Sequence, residues 1–449
     1  MALVDSRAQR ASMLCAMYFA QGVPWGFMTI ALVSHLTARG VGDTAAGNLT
    51  AIVLVPWTFK LIWGPVIDTM TIRSMGRRRP WIIGAELMMA VSLLGLLMMG
   101  DLTENLWLLG WMFFIHNCFA SLQDVATDAL AVDILPRGEQ GRTNGMMWGS
   151  KLIGKAMGAS VMALAIARWG LSSAVIIQFI VLIIIMLFPL LMLERPGEKR
   201  FPWSRGEANF RGSDASGMRH PFDVFRDLFQ AFSLATTSFF VIYGLIHTIG
   251  WGIVEVITKT LYTQQLDWTA EQVSYVSGLA VFTEMAGAFG GGYVADRFGR
   301  RKVMVIGFMA YGLAAIIFGC CPHLWNQRWF AAGYLLVNPG LLAIGSVGFL
   351  SMGMRISWTT ASATVFTIYM TVSNVAHVMG NKAVGPLRDG LGLSYEHTFW
   401  VAGISMFVPL LLLLFVRPEQ VDRMRNAELK ASLDTSGSSS ASDIGMPES

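Results

Sequence analysis

The sequence predicts an all-α integral membrane protein: twelve transmembrane helices in two six-helix bundles. Three observations predict it. The 449-residue chain is 54% hydrophobic and only 14% charged, with a mean hydropathy of +0.53, too apolar for a soluble protein of this size. Apolar runs of about twenty residues, the length that crosses a bilayer core, recur along most of it. One loop pattern also occurs twice. Gly64 precedes Asp68 by one helical turn, with Gly76, Arg77 and Arg78 following; Gly292 precedes Asp296 in the same way, with Gly299, Arg300 and Arg301 following. The halves therefore share one plan, although the first copy carries a longer stretch between acid and glycine.

In chain order, the hydropathy pattern places helices at 12–34, 44–68, 80–100, 106–135, 143–167 and 171–192, then at 232–264, 272–295, 303–321, 328–352, 357–382 and 396–416. Arg7 and Arg10 precede the first apolar stretch, which is too long and too poor in cleavage-site residues for a secretory signal. Pro24-Trp25-Gly26 in helix one and Asn338-Pro339-Gly340 in helix ten are places to bend or locally open. Glycines spaced by four (Gly145 and Gly149, Gly154 and Gly158, Gly287 and Gly291) give helices five and eight faces for close approach. These boundaries divide the chain into an N-terminal bundle (1–193), a polar linker (194–230), a C-terminal bundle (231–417) and a disordered tail (418–449) that turns Ser-rich from Ser432.

Charge sets the topology. Arg7, Arg10, Arg73 to Arg79, Arg137, Arg142, the linker, Arg297 to Lys302, Arg355 and Arg417 to Lys430 fall on one side, against Arg39, Arg168, Arg328 and Arg388 on the other. The positive-inside rule puts both termini in the cytoplasm. The net charge of +4 thus concerns orientation in a lipid bilayer and not nucleic acid. Cys15, Cys118, Cys320 and Cys321 have neither metal-ligand spacing nor a disulfide framework.

Ionisable groups inside the membrane are costly unless paired or wet, so each is a functional candidate. Asp124 and Asp128 lie one turn apart on helix four, and Lys151 and Lys155 one turn apart on helix five. In an antiparallel hairpin turning near Gln140, Asp128 stands level with Lys151 and Asp124 with Lys155, which predicts two neutralising pairs. Lys60 on helix two reaches similar depth and competes for either aspartate; Gln21 on helix one is a further polar candidate. In the second half Glu255 and Lys259 neutralise each other across one turn, whereas Glu284 lies mid-helix with no basic residue visibly level with it. That isolation favours the neutral acid and makes Glu284 the first candidate proton carrier, with Asp124 next. Glu86 is expected to pair with Arg77 to Arg79, and His116, His247 and His377 to be packed and neutral. Trp25, Trp148, Trp251, Tyr18, Tyr243 and Tyr369 are expected to line a cavity, and Trp107, Trp325 and Trp329 to anchor at the interface.

The repeated loop resembles the signature of the major facilitator superfamily, which joins helices two to three and eight to nine. Residue by residue, Asp68 and Asp296 match the motif's acid, Gly76 and Gly299 its glycine, and Arg77, Arg78, Arg300 and Arg301 its basic pair. The resemblance implies a gating role, since an Arg fork grips a carboxylate or a helix C-terminus and lets go when helices tilt. Phe59-Lys60 through Asp68, Gly76 through Trp81, and Gln123-Asp124 with Asp128, Ala129 and Asp133 are similar to the AmpG muropeptide permease and acetyl-CoA transporter branch. The resemblance implies a monomeric secondary transporter in a bacterial inner membrane, taking up a polar or anionic small molecule, such as an anhydro-muropeptide, with a proton as coupling ion. Other solutes (an acyl-CoA, a siderophore or metallophore) and other roles, a non-transporting sensor or an assembly factor, fit the same family. The sequence contains no nucleotide-binding loop, metal pair or nucleophile motif, so neither an enzyme nor a cofactor is expected.

Overall fold

The structure, a computed structural model, describes residues 2–72, 74–100, 102–204, 221–357 and 361–424. Arg73, the linker stretch 205–220 and the tail 425–449 lie outside the described residues. The first half contains α1 (Arg7–Gly26), α2 (Leu32–Ala38), α3 (Asp43–Thr58), α4 (Trp63–Thr69), α5 (Arg79–Leu94), α6 (Leu106–Ile134), α7 (Gln140–Trp169) and α8 (Leu171–Leu191). The linker carries α9 (Pro221–Ser233). The second half contains α10 (Ala235–Ile246), α11 (Ile249–Gln264), α12 (Ala270–Phe298), α13 (Arg300–Cys320), α14 (Arg328–Ile356), α15 (Ser362–Gly385) and α16 (Tyr395–Phe407). Spans one, two and seven are the broken pairs α1/α2, α3/α4 and α10/α11.

Local chemistry accounts for the starts and the breaks. Side chains of Ser6, Asn105 and Ser394 accept the orphan N–H groups of Gln9, Leu108 and His397, and Thr269 with Gln272 forms a capping box at α12. After Pro24, whose missing N–H leaves the Ala20 carbonyl without its α-helical donor, the first span passes through a π-turn at Phe27–Ala31. The second span, predicted as one helix, has Pro56 inside it and breaks into a 3-10 turn at Lys60–Ile62. The tenth span does the opposite of the expectation at Pro339 and stays a single α-helix. There Gly287 of α12 lies against the Gly340 carbonyl, so neighbouring backbone holds the helix where it would otherwise bend.

Each half has its own apolar core. One runs from Leu3 to Ile185, joined by Leu350, Met354, Ala363 and Phe366 from the second half; the other runs from Ala231 to Val421. Outward faces are apolar as well: Ile176, Ile180, Ile184, Leu187 and Leu191 form an exposed stripe along α8, as a lipid-facing helix requires. The faces of the linker and of the loops after spans two and eight lie together; this side is called the linker face below, and its opposite the far face.

Three differences concern the linker and tail. The linker is more than a polar hinge, because α9 exposes Phe222, Phe225 and Phe229 at helical spacing, the pattern of an interfacial helix. Its first residues grip the first half: Leu3 N–H donates to the Leu193 carbonyl, and Glu198 accepts from Arg79 at 3.1 Å and from the Glu194 N–H at 2.9 Å. Burial, and then the neighbouring Glu194 charge, pushes the Glu198 carboxyl up to about 7. The tail, expected to be disordered from residue 418, is helical through 418–424, where Asp422 pairs with Arg355 and Arg137, each at 2.7 Å.

The small-residue faces are divided between two tasks. Gly145 on α7 meets Ala288 of α12 across the halves, but Gly154 and Gly158 pack on Phe19 and Val23 of α1, and Gly287 and Gly291 on Gly340 and Ile344 of α14. A Cβ at Gly158 would overlap the Val23 carbonyl, and backbone cannot yield as a flexible side chain can. Gly158→Val should therefore lower stability by about 1–3 kcal/mol, the range for overpacking, read as a fall in the thermal unfolding midpoint in detergent. An unchanged midpoint would contradict this packing.

Candidate functional site

The paired motif loops close the linker face by one device used twice. Asp68 ends the second span and is wholly buried. One of its oxygens takes Arg77 at 3.2 Å and Arg78 at 2.9 Å; the other takes the Thr364 N–H at 2.9 Å and its hydroxyl at 2.7 Å. Thr364 stands in the first turn of α15, in the opposite half, so the carboxylate answers both the arginines and the positive end of a helix. Gly64 makes the approach possible, since a Cβ there would lie 2.7 Å from the Thr364 Cα. In the second copy Asp296 accepts the Gly141 and Arg142 N–H groups, at 2.8 and 2.7 Å, in the first turn of α7. Gly292 plays the part of Gly64, because a Cβ on it would overlap the Gly141 carbonyl.

The motif glycines and arginines differ between copies. Gly76 and Gly299 both have positive φ, 98° and 101°, a conformation that other residues rarely adopt. Arg78 also holds Asp133 at 2.8 Å and Ser362 at 3.0 Å, adding a second bridge to α15. Arg300 and Arg301 instead donate to the carbonyls of Arg137 and Val416, the latter in the twelfth span. The extra residues of the first loop meet the linker: the Ser74 carbonyl accepts the Lys199 N–H at 2.7 Å.

The buried charges of the first half do not pair as the hairpin register predicts. Asp124 takes Lys60 at 3.1 Å, with Lys151 at 3.9 Å, while Asp128 accepts the Tyr18 hydroxyl at 2.5 Å. Equal depth on two helices does not fix which way the side chains face. The 3-10 turn that breaks the second span carries Lys60, and Lys151 lies over the rings of Trp57 and Tyr18, at 4.6 and 5.6 Å. Gln21 donates to Gln123 at 2.6 Å beside this cluster.

Lys155 is not among the ion-pair partners found for Asp124. It is near enough to interact electrostatically with Glu284, which also accepts the Trp148 indole N–H at 3.1 Å. The carboxyl that seemed isolated in sequence therefore has both its partners on α7. Glu284 lines a cavity of about 260 Å³ with Trp251, Glu255, Lys259 and Asn338, in the far-face half of the second bundle. Glu255 holds Lys259 at 2.9 Å as expected, and also His377 at 2.9 Å.

Other expectations need correction. Glu86 does not pair with the arginine cluster; it is fully buried on α5 near Gln123, because Arg79 turns instead to Glu198 and the carbonyls of Met75 and Pro189. His377 is not merely packed. Tyr243 and Tyr369 are wholly buried in the core of the second half, and Trp325 is 2% exposed, donating to the Phe318 carbonyl, while Trp107 and Trp329 remain exposed. The helix starts that receive Asp68 and Asp296 were invisible in sequence because their chemistry belongs to the backbone.

A two-bundle helical fold whose halves are joined by paired carboxylate-to-helix-start contacts, with charges buried inside the first bundle, is that of a membrane transporter and not an enzyme. The chain belongs to the major facilitator superfamily, whose family model matches residues 12–380 and 240–436. It is 23% identical over 430 residues to the anhydromuropeptide permease of Escherichia coli strain K12, covering 93% of this chain and 81% of that one. It is 30% identical over 206 residues to the puromycin resistance protein pur8 of Streptomyces alboniger, covering 41% and 38% respectively. Its fold is similar to that of the E. coli fucose:proton symporter FucP, with a TM-score of 0.66 at 12% identity over 91% of this chain and 98% of that one. The human organic anion transporter MFSD10 gives the same TM-score and identity over 90% and 99%.

The Lys60–Asp124 contact is buried, so its energetics are asymmetric. Asp124→Asn removes the bonded counter-charge of Lys60, leaving only Asp128 to interact with it electrostatically, and should cost about 3 kcal/mol, whereas Lys60→Met costs less because Lys151 stays beside Asp124. The double variant should recover part of the loss. Changes in unfolding free energy that add within about 0.5 kcal/mol would contradict direct pairing.

Proposed function

We propose that the protein is a secondary transporter that works by alternating access and takes up a polar or anionic solute with protons, in a bacterial inner membrane with the linker face cytoplasmic. One observation carries this reading: the polar contacts between the halves gather at the linker face, where two carboxylates sit on helix starts of the opposite bundle. Such contacts are strong when dry and are lost when the halves rock apart and water enters, which is what a gate requires. The concentration of arginine and lysine on this face supports the cytoplasmic assignment.

The solute follows from likeness to the E. coli anhydromuropeptide permease, and an anhydro-muropeptide is the reading we adopt. It is polar and anionic, which suits a path bearing Lys60, Lys151, Lys155 and Lys259. Glu284 carries the proton. Its bond to Trp148 crosses between the bundles, so rocking removes a partner from the carboxyl and changes its exposure to water within each cycle. The gates are Asp68 with Gly76, Arg77 and Arg78, and Asp296 with Gly299, Arg300 and Arg301.

Uptake of labelled anhydro-muropeptide into proteoliposomes under an imposed pH gradient tests both parts. Wild-type protein should accumulate the solute, and Glu284→Gln, fixed in the neutral form, should keep solute exchange while losing gradient-driven accumulation. No wild-type uptake refutes the solute. Accumulation at the wild-type level in the variant shows that the proton travels elsewhere.

A further inference from the structure

The seventh and eleventh spans are in backbone contact. A Cβ on Gly252 would overlap the His377 carbonyl, and one on Gly380 the Ile249 carbonyl. This closeness lets Glu255 of α11 meet His377 of α15, oxygen to Nε2, at 2.9 Å, while its other oxygen holds Lys259 at 2.9 Å. The three side chains differ in access: Lys259 is 67% exposed, Glu255 36% and His377 19%. The imidazole rests on Trp251, ring centroids 3.9 Å apart, and its Nδ1 has no hydrogen-bond partner. Trp251, Glu255 and Lys259 line the cavity, and so does Asn338, 5% exposed, whose Oδ1 is also without a partner.

We propose that Lys259, Glu255 and His377 form a site that binds an anion and a proton together. A carboxylate of the solute takes the Lys259 ammonium, and the Glu255–His377 pair left behind takes up one proton. The geometry supports each step. Lys259 is the most exposed of the three, a mobile ammonium on a four-carbon stem, so it can turn to an incoming anion without moving a helix. Glu255 cannot follow, because His377 holds its other oxygen.

A solute filling the cavity excludes water from a carboxylate that has just lost its cation, a costly state that proton uptake relieves. The proton comes from solvent, and the free Nδ1 lone pair gives it a place on the far side of the ring from Glu255. Charge balances: the Lys259–Glu255 pair is neutral before, and the bound anion, Lys259, Glu255 and one added proton are neutral after. The other titratable side chains lining the cavity are Glu284 from α12, Tyr311 from α13 and Tyr334 from α14. Of the other elements packed against α11, α15 carries Lys382 and the start of α16 carries Tyr395, Glu396 and His397, none of which lines this cavity. The inference rests on the transport reading but names a second proton site, and it makes the carboxylate itself the trigger for proton binding.

Proton uptake by the purified full-length protein, followed with an indicator dye in weakly buffered detergent solution near neutral pH, tests it. The probe is N-acetylglycinate, with uncharged N-acetylglycinamide as control. Wild-type protein should take up about one proton per carboxylate bound and none with the amide, as linkage of the two binding events demands. Lys259→Gln, at an exposed position, should fold normally and weaken carboxylate binding by about tenfold, with uptake lost in proportion. Glu255→Gln should bind the carboxylate without uptake. Carboxylate binding without uptake in the wild type, no binding at all, or uptake that survives in Glu255→Gln or His377→Gln overturns the proposal. Because the probe is not an anhydro-muropeptide, failure of that solute in proteoliposomes leaves this measurement unaffected.

Discussion

A carboxylate placed on the first turn of a helix from the other half is the constraint on which this structure depends. Asp68 and Asp296 each end a helix, and each meets unsatisfied backbone N–H groups at the start of another, at Thr364 on α15 and at Gly141 and Arg142 on α7. The partners are matched by the internal repeat, since α7 is the fifth span of its half and α15 the fifth of its own. A helix start keeps four free donors and a partial positive charge, so an acid there is stabilised without a dedicated basic residue. The device needs room, and Gly64 and Gly292, one turn before each acid, supply it. The recurrence of glycine one turn before aspartate thus has one steric cause in both halves.

The two carboxylate contacts are not equal. Asp68 is drier and more heavily bonded, held by two arginines and joined through Arg78 to Asp133 and Ser362. Among the described residues Asp296 takes only backbone donors, with Arg300 and Arg301 turned to carbonyls elsewhere. The first loop is also where the linker attaches, through Ser74, Arg79 and Glu198. Its longer stretch therefore ties the more heavily bonded carboxylate to the segment that connects the halves.

Much of this was legible in sequence, because the apolar period, the repeated loop and the basic loops are local signals that tertiary packing did not override. The Glu255–Lys259 pair was legible for the same reason, being one turn of one helix. What failed was orientation between helices. Depth arithmetic placed Asp124 level with Lys155, but level residues need not face, and the break near Lys60 turned that lysine to the aspartate instead. Glu284 looked alone because Trp148 and Lys155 approach from the other half, across a separation that no periodicity encodes. His377 was passed over as a lone histidine, although Gly252 and Gly380 mark the contact that brings it to Glu255.

The central claim is that Asp68 on the α15 start holds the linker face shut. Spin labels at Gly138→Cys and Lys302→Cys, exposed positions on opposite halves of that face, would report its opening once the four native cysteines are replaced. Double electron–electron resonance should give one short distance with Asp68 intact. With Asp68→Asn a second, longer distance should appear, because an amide neither carries the charge that the helix start and both arginines stabilise nor accepts as many of their hydrogen bonds. An unchanged single distance in the Asp68→Asn protein would contradict the account.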